Sequence, residues 1–178
     1  MRFWFLMVLW SAGGPSLHGL QSGDRELAVA MQALVDELAS RPSHDSVLLF
    51  HQLAPDAVNA SDFEAWLERL LPERYRGRVS TELFRQYWQA NKTARKLGAT
   101  AEVADHPVRL VPLIRESTLP PTGGVHSVSR IGFSPSGDSA LVTVSFACRG
   151  LCGWSDLFLY IRTATGWERR RTLLSVVH

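Results

Sequence analysis

Residues 127–175 read SVSRIGFSPSGDSALVTVSFACRGLCGWSDLFLYIRTATGWERRRTLLS, and the reading of this stretch decides the fold. It combines period-two alternation, turn chemistry and both cysteines of the chain. The pattern predicts a four-stranded antiparallel meander, roughly Val128–Phe133, Ala140–Ala147, Leu157–Arg162 and Trp167–Leu174, joined by links rich in Gly, Pro, Ser and Asp. Ala140, Val142, Val144 and Phe146 are expected on the core face, and Leu157, Leu159 and Ile161 on the same face from the next strand. SPSGD and TATG read as hairpin turns, with Gly137 and Gly166 supplying positive φ.

Working outward, the segment before the meander is helical in pattern. Asp24 to Ala39 carries Leu27, Met31, Leu34 and Leu38 at helical spacing, and Arg41-Pro42 ends it. Val47 to Leu53 is a short apolar run that suits a buried strand or one helical turn. Ser61 and Glu64 form a capping box ahead of Phe63, Trp66, Leu67, Leu70 and Leu71, and Pro72 stops that helix. A third helix is expected from Ser80 or Thr81 to Leu97, with Gly98 as its left-handed cap. His106 to Ile114 contains two prolines, so any strand there is expected at a sheet edge. The predicted class is therefore α+β, with N-terminal helices packed on one face of a C-terminal antiparallel meander.

The chain has 178 residues, is 46% hydrophobic and 20% charged, and has a net charge of +2. That length fits one sizeable core rather than two, so residues 20–178 are expected to form a single domain. The small charge gives no specific nucleic-acid signature. Arg2 precedes the apolar run Phe3 to Trp10, and small residues follow, which reads as a secretory signal peptide over residues 1–19. The run is short of the ~20 residues a spanning helix needs, so no transmembrane anchor is expected after its removal. A secreted or periplasmic location follows, and the two cysteines, Cys148 and Cys152, fit a disulfide in an oxidising compartment.

No catalytic residue, cofactor or metal ligand can be nominated from motifs. GFSPSG misses the G-x-S-x-G spacing by one residue, and the histidines at 44, 51, 106, 126 and 178 show no metal-binding spacing. The CRGLC loop admits a thiol nucleophile, a metal site, a redox pair or a structural disulfide. The last is the simplest, and the loop-entropy model gives a ring of this size about 2 kcal/mol. Strand alternation puts Arg169 and Arg171 on one side and Arg170 on the other. With Arg130, Arg149, Trp154 and Tyr160 they form a candidate binding surface for an acidic ligand, set against the reading of an edge strand protected by charge. Arg74, Arg76 and Arg78 read as a solvated connector, set against the reading of an anion-binding loop.

One wider pattern remains. Ser129, Arg130, Ile131, Gly132 and Phe133, then Ala140, Leu141, Val142 and Val144, then Cys148, Leu151, Cys152 and Gly153, with Gly166 before Trp167, follow in order. This resembles the C-terminal half of a family of secreted bacterial proteins whose activity is uncharacterised. The chain departs from that pattern in the short segment from Leu113 to Val125 and in its ending, LLSVVH. The resemblance implies an exported α+β protein and carries no activity, cofactor or catalytic residue. The expected role is a non-enzymatic binding or envelope-associated module for an unknown, anionic or envelope-derived ligand. The alternatives are a small extracytoplasmic hydrolase, drawing on His126, Asp156 or a histidine near the strand ends, and a thiol-disulfide redox protein using Cys148 and Cys152.

Overall fold

The computed structural model describes residues 22–41, 47–50, 52–53, 62–70, 77, 79–97, 102–103, 106–112, 123–150 and 152–177. The expected signal peptide, Arg74, Arg76 and Arg78 of the connector, Ser61 and Gly98 lie outside the described residues.

The chain begins with helix α1 (Ser22–Ser40), followed by strands β1 (Val47–Phe50) and β2 (Gln52–Leu53). Helices α2 (Phe63–Leu70) and α3 (Thr81–Ala90) come next, then the short strands β3 (Arg95–Lys96) and β4 (Glu102–Val103) and the longer β5 (His106–Val111). The remainder is β6 (Gly124–Val128), β7 (Gly132–Phe133), β8 (Ser139–Cys148), β9 (Trp154–Arg162) and β10 (Trp167–Val177). The main sheet runs β10-β9-β8-β6-β1-β5-β4, with β7 also paired to β8, while β2 and β3 form a separate ribbon.

The expectation of a four-stranded antiparallel meander is overturned. β1 pairs in parallel with both β5 and β6, so the sheet is mixed, and helices and strands interleave along the chain. Parallel neighbours need a crossover, and α2 and α3 lie in the connection from β1 to β5. β5 lies next to the end of the sheet: the two-residue β4 covers it only at His106 and Pro107, and Val108–Val111 pair with β1 alone among the described strands, close to the expected edge position. The predicted first strand of the meander is split. β6 pairs with the second half of β8 and β7 with its start, and Ser129 bridges the break through Ser129 N–H to Thr143 O at 2.9 Å.

The helices do not share one face either. α1 packs Val29, Ala30, Ala33, Leu34 and Leu38 against Ala140, Val142, Val144, Phe158 and Tyr160. α2 and α3 pack Phe63, Trp66, Leu83, Phe84, Tyr87 and Trp88 against Leu141, Leu157 and Leu173. The sheet is thus covered on both sides, and Thr143, on the second face, hydrogen-bonds the Tyr87 hydroxyl at 2.7 Å. Register explains the misassignment of Leu157 and Leu159: Val142 stands opposite Phe158 and Ala140 opposite Tyr160, so the aromatic pair shares the α1 face. Sliding a strand by one residue exchanges its faces, and here both faces are apolar.

Local chemistry sets the helix ends. α2 is capped by Asp62, whose Oδ1 accepts from Glu64 N–H at 3.0 Å, one residue beyond the expected Ser61. Ser80 caps α3 by accepting from Glu82 N–H at 3.2 Å. α3 stops at Ala90 rather than Leu97 because Asn91 turns the chain: its amide donates to Tyr87 O and Arg130 O, and its Oδ1 accepts from Arg130 N–H. Arg95 then leaves the helix to pair with Glu26 at 2.7 Å. α3 reaches the sheet at Gly132, where an added Cβ would lie within 2.5 Å of Tyr87 Cβ and closer still to its backbone.

Candidate functional site

The C-terminal turns of α1 run past the β9–β10 edge of the sheet and leave a groove of about 460 Å³. α1 and the residue after it contribute Glu37, Ser40 and Arg41. β9 contributes Asp156 and Phe158, and β10 contributes Arg169, Arg170, Arg171 and Thr172. The volume falls in the range of roughly 300–1,000 Å³ usual for small-molecule sites.

Glu37 is on the inward stripe of α1, four residues beyond Ala33, and is 2% exposed. Asp156, on β9, is 4% exposed. Arg41 joins the two acids, with Nε 3.1 Å from Glu37 Oε1 and Nη2 donating to Asp156 Oδ2 at 3.0 Å. Its guanidinium lies 4.1 Å from the ring centre of Trp154, which fixes the bridge from a third side. Arg169 Nη1 donates to Glu37 Oε2 at 3.4 Å, and its guanidinium sits 5.0 Å from the Phe158 ring centre. Charge-assisted N–H···O bonds are usually about 2.7–2.9 Å, so Arg169 is the more loosely held of the two.

Burial pushes the Glu37 carboxyl above the ordinary glutamate range. Arg41 and Arg169 pull it down, while Asp156 and Asp36 push it further up. Asp36 is engaged by the Tyr160 hydroxyl, which donates to Oδ2 at 2.6 Å, and by Gln32, which donates to Oδ1 at 2.8 Å. Burial and the bond to Asp36 hold the Tyr160 phenol far above its usual range, so it stays a neutral donor. Arg170 and Arg171 are exposed, and among the described residues neither has an ion pair or a side-chain hydrogen bond.

The residues singled out in the sequence are distributed unevenly around this groove. Arg169 and Arg171 border it, but they do not share a face. Arg169 stands opposite Tyr160 and Arg171 opposite Leu159, with a register shift between them that leaves Arg170 as the extra residue. Trp154 joins through Arg41. Tyr160 is fully buried under α1, where its hydroxyl donates to Asp36, the residue before Glu37. Arg130 belongs to a different cluster, in which its Nε donates to Glu26 Oε1 at 2.6 Å and its Nη1 to Thr93. Arg149 is exposed in the loop between β8 and β9. Cys148 and Cys152 are joined in a disulfide across that loop, with Cα atoms 5.6 Å apart.

Glu37 and Arg41 were not singled out in the sequence, although a signal was present. Glu26, Ala30, Ala33 and Glu37 recur at spacings of four, three and four, so two acids occupy the inward stripe of α1. Of the residues named for a hydrolase, Asp156 lies in the groove, whereas His126 packs against Phe146 and Trp154, with ring centres 5.0 and 6.2 Å away. Ser134 and Ser136 form the β7–β8 turn, where they hydrogen-bond around Asp138 and hold its carboxyl below the usual range. Among the described residues no group of three or more His, Cys, Asp and Glu side chains could hold a metal ion, and no helix is long and apolar enough to cross a membrane. No protein-family model, curated protein or solved structure matches the chain.

Proposed function

We propose that this protein is an exported, non-enzymatic binding module that takes an anionic ligand in the groove between α1 and the β9–β10 edge. The observation that carries the reading is the arginine content of that groove. Four arginines, Arg41, Arg169, Arg170 and Arg171, line it together with two acids, Glu37 and Asp156. Two of the four are engaged with those acids, and two have no partner among the described ion pairs. A planar guanidinium offers a fork of donors that matches a carboxylate, sulfate or phosphate, and the surplus of positive charge favours such a group over a neutral one. Thr172 adds a hydroxyl at the rim, while the Ser40 hydroxyl donates to Glu37 O at 2.9 Å.

Export is supported by the apolar N-terminal run, by the disulfide and by the resemblance to secreted bacterial proteins. The binding reading is tested by calorimetric titration of sulfate and citrate into the full chain at low ionic strength. Hydrogen bonds to charged groups contribute about 1.5–3 kcal/mol, so replacing either free arginine by alanine weakens binding by about tenfold or more. Unchanged titrations for Arg170→Ala and Arg171→Ala remove the proposal.

A further inference from the structure

Resting on the anion-binding reading, we infer that Glu37 is a built-in competitor for the ligand, holding Arg169 until a proton or an incoming anion displaces it. The inference begins with the asymmetry between the two engaged arginines. Arg41 is fixed by Asp156 at 3.0 Å, by Glu37 at 3.1 Å and by the Trp154 ring. The one ion pair that Arg169 makes among the described residues is its 3.4 Å contact with Glu37. A ligand anion that takes the Arg169 fork must therefore replace a carboxylate already present in the groove wall.

That carboxylate is poorly placed to remain ionised alone. It is 2% exposed, so its solvation comes from the protein. The charged and titratable groups around it are Asp36 and Arg41 from α1 and its end, Asp156 and the neutral Tyr160 from β9, and Arg169 from β10. Drawing Arg169 towards a ligand removes one of the two cations holding Glu37 charged and leaves two carboxylates beside it. Glu37 then takes up a proton. By linkage the converse holds: protonating Glu37 first releases Arg169 and strengthens binding of the anion. Glu37 thereby sets both the affinity and the pH response of the groove without having to touch the ligand.

The test uses sulfate, which remains a dianion over the working pH range, titrated into the full chain from pH 8 down to pH 5. The inference predicts affinity that rises as pH falls, by at most about tenfold per pH unit for one linked proton. Titration at fixed pH in buffers of different ionisation enthalpy should show net proton uptake on binding. Glu37→Gln should bind sulfate more tightly than the wild type at pH 8 and with little pH dependence. This control separates Glu37 from His126, whose ring packs against Trp154. The buffer series on the unmodified protein tests the same linkage should the variant fold poorly. Sulfate binding that is independent of pH, takes up no proton and is unaffected by Glu37→Gln overturns the inference while leaving the anion site intact. Absence of sulfate binding at any pH overturns both.

Discussion

Gly132→Ala tests the layered architecture more severely than any surface change. The added Cβ would lie within 2.5 Å of Tyr87 Cβ and closer to Tyr87 Cα and N, so the obstruction includes α3 backbone and cannot be relieved by a rotamer change. Carbon atoms in contact settle at about 3.5–4.0 Å, so α3 must withdraw from β7 by roughly 1 Å. A gap of that size forfeits a quarter to a half of each dispersion contact it opens. α3 contributes Leu83, Phe84, Tyr87 and Trp88 to the second core, all at most 8% exposed, and the withdrawal affects them together. The expected loss is at the upper end of overpacking costs, about 3 kcal/mol. For a chain of this size that corresponds to a fall in Tm of roughly 6–12 °C. Urea unfolding followed by tryptophan fluorescence and by far-UV circular dichroism measures it. A change below about 0.5 kcal/mol, the range of neutral surface substitutions, would mean that α3 does not lie on β7 and that the sheet is not covered on its second face.

Other expectations can be checked with the same preparations. Asp62→Ala removes the α2 cap and should cost about 1 kcal/mol in a denaturant melt, whereas Ser61→Ala should cost much less. Thiol titration of unreduced, denatured protein should find no free cysteine, and replacing both by serine should cost about 2 kcal/mol. The stability profile against pH carries the signature of Glu37, whose folded pKa is raised. The folded state then binds the proton more tightly than the unfolded chain, so stability from this group is greatest below the unfolded value of about 4.3. It falls as pH rises towards the raised folded value and levels off above it. Glu37→Gln should remove that part of the slope in melts from pH 4 to pH 8, and an unchanged slope would assign it to another group.

The sequence made the elements easier to read than their arrangement. The β8, β9 and β10 segments were expected within a few residues of where they lie, because alternation and the turn residues around Gly137 and Gly166 are local signals. Arrangement depended on signals of another kind. Leu141 and Thr143 sit between Ala140, Val142 and Val144, and a strand apolar on both faces gives alternation no polar side with which to choose its core. VLLF at Val47–Phe50 is the uninterrupted apolar run expected of a buried parallel strand, but its length also allowed a helical turn.

The groove was half legible for a related reason. Arg169, Arg171 and Trp154 were recognised by residue type. The register shift after Arg169 changed which face Arg171 takes, and bulges leave no mark in composition. Glu37 and Arg41 lie more than a hundred residues before their partners in β9 and β10, so only the fold brings them together. The two acids that keep the helical period of the inward stripe, Glu26 and Glu37, are the available clue. In both cases the acid is buried where arginines reach it, Arg95 and Arg130 at one end of α1 and Arg41 and Arg169 at the other.

The most direct measurement is an amide NMR titration of the isotopically labelled full chain with sulfate, which locates binding as well as detecting it. The account predicts saturable shifts concentrated at Ser40, Arg41, Asp156 and Arg169 to Thr172, and strongly reduced in Arg171→Ala. Shifts centred instead on Arg149 and its loop or on Arg130, or no saturable shift at all, would contradict it.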